Sequence, residues 1–442
     1  TGGRAVGEWS VTGLSIDTRS IQSGDLFVPL KDARDGHAFI PQARKAGAGA
    51  ILSERTDEAA PALIVKDTLA GMRGLAVAAR KRSGAVRIAV TGSVGKTSLK
   101  EALAVICSAS GKSHKSQKSF NNHWGVPLTL ATMPVDTDYG VFEVGMNHAG
   151  ELADLSPLIE PHIAIITKIA PAHLAHFENV DAIASAKAEI FEGLVKGGTA
   201  ILNADDPYFE YLSGKAHAAN AKIISFGESS SADVRIENSV SGPGFVTTDI
   251  VVDGQSHALR MNLDGMHWLF NAACAIAAAL VAGIKIETSV KALSTFEALA
   301  GRGARVDVTL AGTAITVIDD SYNANPDSMR AAIEALSSAS GRKLAVLGDM
   351  FELGADELTM HAALAAPLEA ANVSRVITSG ECMRALRGAL PRSMRGAWVA
   401  GWENALTALK ADIRDGDTIL IKGSNAAGLS KLVAALKDTQ KG

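Results

Sequence analysis

The chain has 442 residues, too many for one ordinary hydrophobic core, so two or three domains are expected. Hydrophobic residues make up 47% and charged residues 20%, the profile of a soluble globular chain. A net charge of −4 without a basic block argues against nucleic acid as a partner. Cys107, Cys274 and Cys382 lie far apart and form neither a C-x-x-C pair nor a disulfide framework, which fits a reducing cytoplasm. The longest apolar stretch, residues 272–284, is too short to span a bilayer, and no signal peptide is read in the opening residues, which begin without methionine.

Residues 1–82 read as a first unit, with strands over 25–30 and 48–53 and a helix over 38–46. Asp17-Thr18-Arg19 and Asp35-Gly36-His37 flank these elements, and taken alone such residues are turn formers and solvated charges. The polar run Lys81-Arg82-Ser83-Gly84 marks the boundary. A second unit, 83–301, alternates strands and helices, which implies a mostly parallel sheet covered on both faces. It opens with an apolar strand over 86–90, a turn Gly92-Ser93-Val94-Gly95 and a helix from Lys96-Thr97. Strand, glycine-bearing loop and helix N-terminus in that order make a phosphate cradle. Backbone N–H groups face the phosphates, Lys96 reaches their oxygens and the Thr97 hydroxyl can ligate Mg²⁺. Val90 stands where the common P-loop has its first glycine, so the loop is a shorter variant, T-G-S-x-G-K-T-S.

Glu143 ends the apolar strand that starts at Tyr139. A carboxylate at the carboxyl end of a parallel strand sits where it can hold Mg²⁺ beside a triphosphate, and a P-loop needs a second magnesium ligand. His173 follows a strand over 163–169, and as a lone loop histidine it is a weak signal. A helix over 180–195 carries an apolar stripe of Ile183, Ile190, Phe191 and Leu194 that includes Lys187. Two readings of that lysine stand level: a side chain snorkelling to water, or a buried amine of depressed pKa able to take up CO₂ as a metal-binding carbamate. His267 and Asn271 share one face at the start of an alanine-rich helix, where capping or a satisfied pair competes with contact to a nucleotide. Residues 242–257 read as a hairpin turning at Asp253-Gly254.

The third unit, 302–442, again alternates strand and helix. Strands lie within 306–318 and over 344–347, 375–378 and 418–421, and a helix begins near Pro326. Its layout is Rossmann-like, without G-x-G-x-x-G, so no dinucleotide is implied. The expected class is therefore α/β: a small α/β N-terminal domain, a central P-loop-type parallel-sheet ATPase domain and a C-terminal Rossmann-like domain.

These segments together resemble the Mur ligases, ATP-dependent amide-forming enzymes of bacterial cell-wall synthesis. The resemblance runs from Asp17-Thr18-Arg19 to Lys422-Gly423-Ser424 and rests on several stretches. They are the shortened loop, Asn121-Asn122 with Gly125-Val126-Pro127-Leu128, Glu143-Val144-Gly145-Met146-Asn147 and Gly150-Glu151. The most specific stretch, residues 320–329 (Asp-Ser-Tyr-Asn-Ala-Asn-Pro-Asp-Ser-Met), is similar to the branch that adds D-alanyl-D-alanine to UDP-N-acetylmuramoyl-tripeptide through an acyl phosphate, in peptidoglycan precursor synthesis.

The resemblance implies roles. Gly92, Ser93, Gly95, Lys96, Thr97 and Ser98 would bind ATP, and Asn271, Arg302, Asp319 and Tyr322 would contact it too, Arg302 and Asp319 coming from the last domain as it closes. Thr97 and Glu143 would hold one Mg²⁺, with His173 and a carbamylated Lys187 near a second. Lys96, Lys187, His173 and His267 would be the catalytic group. Asp17, Thr18 and Arg19 would take the UDP-sugar end of the substrate, with Asn121, Asn122, Asn323 and Asn325 also on substrate. A cytoplasmic monomer is expected. The chain departs from the pattern at His123-Trp124, where Glu-Ile is usual, at Trp268, and at Asn425 and Ser430, where arginine and glutamate are common. Two other readings are weighed. A folylpolyglutamate synthase shares the ATP machinery, but the separate first domain argues against it. A GTPase-like switch needs Asn-Lys-x-Asp, and Asn203-Ala204-Asp205-Asp206 lacks the lysine.

Overall fold

The computed structural model describes residues 1–171 and 174–438. Among the described residues the strands form three sheets of five, nine and six strands. The class is α/β, as the alternation of elements predicts. In the first sheet the spatial order is Arg4–Val6, Ala62–Ile64, Ala50–Ser53, Asp25–Phe27 and Gly13–Ser15, parallel apart from the first pair. The strand expected over 25–30 pairs only to Phe27, although Val28 and Leu30 remain buried.

In the central sheet Val86–Thr91 lies between Tyr139–Glu143 and Ile163–Ile166, parallel to both. The chain runs out to the edge strand Ser113–Lys115, returns through Tyr139–Glu143, and crosses to the other side at Ile163–Ile166. Winding therefore reverses about Val86–Thr91, and such a reversal opens a crevice at the carboxyl ends of the strands. Thr199–Asn203 and Lys222–Gly227 extend the parallel part, and Val234–Gly242, Phe245–Val252 and Gln255–Met261 finish it as an antiparallel meander that turns at Asp253-Gly254.

One face of this sheet is covered by the helices Lys96–Ser108 and His267–Val281, which share a core with Ile88, Val90, Leu103 and Trp268. Alanines along the second helix let the two approach closely. The other face is covered by Glu151–Ile159, Val180–Ala188 and Gly125–Ala131, around Phe142, Val144 and Ile166. The helix Thr68–Arg82 places Ala76 in this same core and so joins the first sheet to the second.

The helix expected over 180–195 is α-helical only to Ala188 and continues as a 3-10 turn, Glu189–Gly193. The reason is a close approach. Ser156 Oγ donates to the carbonyl of Ile190 at 2.5 Å, and a Cβ on Gly193 would lie 2.2 Å from the Ser156 carbonyl carbon. Backbone packed that tightly has no room for a further α-helical turn.

The third sheet runs Ala304–Leu310, Thr313–Asp320, Asp417–Lys422, Lys343–Gly348, Arg375–Ser379 and Arg395–Val399, parallel after its first pair. The helix Pro326–Ser337 starts with a reciprocal cap between Asn325 and Ser328, with proline at its first position. No described helix is long and apolar enough to cross a membrane. Phe142 has no solvent exposure and lies between the loop strand and its covering helices. Phe142→Ala should cost about 3–5 kcal/mol. Calorimetric scanning should then show the central transition lowered by roughly 5–15 °C.

Candidate active site

Gly92 to Gly95 leave the sheet at the carboxyl end of Val86–Thr91 and are laced to the segment after Ile163–Ile166. Ser93 N donates to the Lys168 carbonyl at 2.8 Å, Ser93 Oγ and Ala170 exchange bonds of 2.8 and 3.0 Å, and Thr167 Oγ1 donates to the Val94 carbonyl at 2.5 Å. Gly95, at φ +82°, turns the chain into Lys96–Ser108, whose start has no side-chain cap. The uncapped N–H groups and the positive helix end therefore suit an anion. Asn271 lies against the loop, since a Cβ on Gly95 would come within 2.9 Å of its Oδ1. Lys96 folds back and donates to the Gly92 carbonyl at 2.6 Å. Burial lowers its pKa, the charge of Arg302 adds to that, and Glu143 opposes it. Ser98 is buried in the first helical turn.

Glu143 is 1% exposed at the end of its strand. Its Oε2 accepts from Thr97 Oγ1 at 2.9 Å and its Oε1 from Asn121 Nδ2 at 2.8 Å. A hydroxyl and a carboxylate converging beside a phosphate cradle are hard oxygen donors of the kind Mg²⁺ prefers, so the donor set fits that ion. Asn121, expected on substrate, is thus turned to the carboxylate.

Lys187 is 1% exposed, which decides between its two readings in favour of the buried amine. Burial first, and then the positive charge of Lys96, hold its pKa well below that of a free lysine. His173 lies outside the described residues. The ring of His267 reaches solvent from a crowded cleft near Lys422 and Asp264. Desolvation first, and then the charge of Lys422, lower its pKa to about 4, while the charge of Asp264 opposes them. Trp268, by contrast, is 2% exposed and packs on Phe296 with ring centroids 5.5 Å apart.

From the third unit Arg302 reaches across to donate to Thr97 Oγ1 at 3.0 Å, and its guanidinium lies 4.3 Å from the centre of the Tyr322 ring. Tyr322 OH is 2.6 Å from Ser119 Oγ. Asp319 is buried and works on its own loop, accepting from Gly301 N at 2.9 Å and from Ser321 Oγ at 2.6 Å. Lys168 and Asp327 pair at 3.3 Å across the same gap.

Some expected substrate residues have local work. Asn122 Oδ1 accepts from Trp124 N and Gly125 N, so it starts the helix Gly125–Ala131. Asn325 caps Pro326–Ser337, and Asn323 is exposed, its carbonyl accepting from Lys422 Nζ at 2.9 Å. Asp17 and Arg19 form an ion pair at 2.6 Å within their own turn, with Thr18 between them half-buried. Asn425 and Ser430 are exposed. Asp205 and Asp206 bond to backbone N–H groups of Glu228, Ser229, Ile169 and Tyr208, which leaves them structural and speaks against a guanine reader.

Sequence reasoning passed over Thr167 and Lys100. The first carries no pattern. The second did leave a signal, a lysine one turn after Lys96 between the buried residues Leu99 and Leu103.

Around the loop, then, Lys96 and Arg302 supply positive charge, Thr97 and Glu143 supply oxygen donors, and the helix N-terminus supplies N–H groups. Such a set of groups suits a polyphosphate and fits a divalent cation. Three family descriptions match along the chain: "Mur ligase family, catalytic domain" over residues 10–91, "Mur ligase middle domain" over 90–279, and "Mur ligase, glutamate ligase domain" over 301–425. The UDP-N-acetylmuramoyl-tripeptide–D-alanyl-D-alanine ligase of Bacillus subtilis is 35% identical, over 96% of this chain and 93% of that protein. The ligase of the same description from Escherichia coli is 36% identical, with the same coverage of 96% and 93%. Among solved structures, MurF from Acinetobacter baumannii superposes with a TM-score of 0.86 at 30% identity, over 97% of this chain and 94% of that one. Likeness of this depth runs nearly end to end, and the chain belongs to the Mur ligase family.

Proposed function

We propose that the chain is an ATP-dependent carbon–nitrogen ligase that adds D-alanyl-D-alanine to UDP-N-acetylmuramoyl-tripeptide. The observation that carries this reading is the contact of Arg302 with Thr97 at the phosphate loop, which brings the third unit onto the nucleotide site. The Bacillus subtilis and Escherichia coli relatives support the choice of substrates. Residues 1–82 would hold the UDP-sugar end, 83–301 the nucleotide and 302–442 the incoming dipeptide. The setting is a cytoplasmic monomer.

A carboxylate is a poor electrophile at neutral pH. Its oxygen attacks the γ-phosphorus of ATP, the bond to the β,γ-bridging oxygen breaks, and an acyl phosphate and ADP result. The dipeptide amine then attacks the acyl carbon, loses a proton, and expels inorganic phosphate as the amide forms. Lys96 and Arg302 neutralise charge on the transferred group, the main service a protein offers in such a step. Thr97 and Glu143 would hold Mg²⁺, which when bound offsets negative charge on the phosphate oxygens. Lys187, whose pKa burial and then Lys96 hold well below that of a free lysine, is the amine for carbamylation: its nitrogen adds to the carbon of CO₂ and loses a proton, and the carbamate so formed is an anionic oxygen donor. Bringing Arg302 and Tyr322 over the loop keeps water from the acyl phosphate.

The direct test is phosphate release from ATP and Mg²⁺. It should require both UDP-N-acetylmuramoyl-tripeptide and D-alanyl-D-alanine and yield a pentapeptide product by mass. Release driven instead by folate and glutamate would favour the folylpolyglutamate reading, and a preference for GTP would favour the switch. Lys187→Ala should abolish turnover, with short carboxylates restoring part of it, whereas full activity in that variant would remove the carbamate role. Gly95→Ala forces a Cβ toward Asn271 at a positive φ. The strain is about 1–2 kcal/mol. Calorimetry should therefore show ATP binding weakened by roughly 5–30-fold, and unchanged affinity would place the nucleotide elsewhere.

A further inference from the structure

The helix that carries Lys96 and Thr97 holds another lysine one turn further on. Lys100 has no solvent exposure, 0%, and the reaction described above gives it no task. An ammonium so deep needs acceptors for its three N–H groups, or burial is prohibitively costly. Lys100 Nζ donates to the carbonyl of Lys118 at 2.5 Å, lies 3.1 Å from Glu101 Oε1, and lies 3.7 Å from Glu143 Oε2. Glu101 is paired in turn with Lys115. The ammonium is therefore shared among one backbone carbonyl, the Glu101 carboxylate and, at the longest of the three distances, the carboxylate of the proposed metal site.

That carbonyl belongs to a segment with unusual duties. Lys118 sits at φ +48°, a left-handed conformation that a residue with a Cβ adopts only when its surroundings impose it. Around it, residues 116–124 touch each of the three units. Ser119 bonds Tyr322 of the third unit, and Asn121 bonds Glu143 of the second. Phe120 and Trp124 pack into the core of the first sheet with Leu26 and Val28.

We infer that Lys100 is a positioning residue: its ammonium fastens both Glu143 and the 116–124 segment to the phosphate-loop helix. Metal ligation and the seating of the first and third units are then set by one buried charge. The inference rests on the proposed nucleotide and Mg²⁺ reading. A lysine that served only to fill and balance the core would, when replaced, weaken nucleotide binding equally with and without metal. A positioning lysine acts through Glu143 and affects the metal-dependent part alone.

The test is calorimetric titration of ADP into the full chain, with and without Mg²⁺, for the parent, Lys100→Met and Lys100→Gln. Cooperative melting of each variant is checked first. Affinity for metal-free ADP should be the same in all three. The gain in ADP affinity on adding Mg²⁺ should fall at least about tenfold in Lys100→Met. It should fall by about threefold in Lys100→Gln, whose amide can still donate to the Lys118 carbonyl. If the methionine variant does not fold, the glutamine variant decides by the same comparison. A full Mg²⁺ gain in the folded variants, or an equal loss with and without metal, overturns the inference. A parent that binds ADP with no Mg²⁺ gain would instead remove the metal reading of Thr97 and Glu143, and this inference with it.

Discussion

A carboxylate buried at the end of a strand costs several kcal/mol unless every oxygen finds a donor or a cation. Glu143 carries that cost, and much of the site is arranged around meeting it. Thr97 approaches from the loop helix, Asn121 from the neighbouring segment and Lys100 from below. Two of these partners lie on the loop helix and the third on the 116–124 segment, so satisfying one side chain fixes three backbones, its own strand included, relative to one another. The central sheet can then be read as the scaffold that delivers Glu143 and the loop side by side. Their strands are adjacent and parallel, with Val90 in register with Glu143.

The second constraint is the concentration of positive charge. The charge of Arg302 lowers the tendency of Lys96 to hold a proton, and Lys96 does the same to Lys187. Cations gathered this closely, and only partly offset by Glu143, raise the free energy of the empty site. An anionic ligand recovers that energy on binding, which is the sense in which the site is organised for a polyphosphate. Membership of the Mur ligase family and the chemistry of the loop thus lead to the same conclusion.

Much of this was readable from residues alone, and the limits have physical causes. The loop was legible because strand, turn and helix are contiguous, and a glycine at a left-handed position leaves its mark in sequence. Glu143 was legible because it ends an apolar run. Lys187 was half-legible: its place on an apolar stripe predicted an inward direction, but whether its nitrogen reached water is set by packing that the stripe alone does not show. Asn121 and Asn122 stand side by side and do unrelated things, one bonding Glu143 and the other capping a helix. Nothing local separates them. Lys100 carried the same inward signal as Lys187, and only its distant partners reveal what it holds.

The third unit meets the phosphate loop largely through polar side chains: Arg302 on Thr97, Tyr322 on Ser119, and Lys168 paired with Asp327. The apolar cores of the central and third sheets, in contrast, are separate clusters. Contacts of this kind are worth little individually in water and are screened over about 8–10 Å at physiological ionic strength. Raising the salt concentration therefore loosens the grip between the units while leaving each sheet's own packing intact. The central and third units are separately packed blocks that meet at the loop along a polar seam of hydrogen bonds and an ion pair, so parting them there does not require opening either sheet's own hydrophobic core.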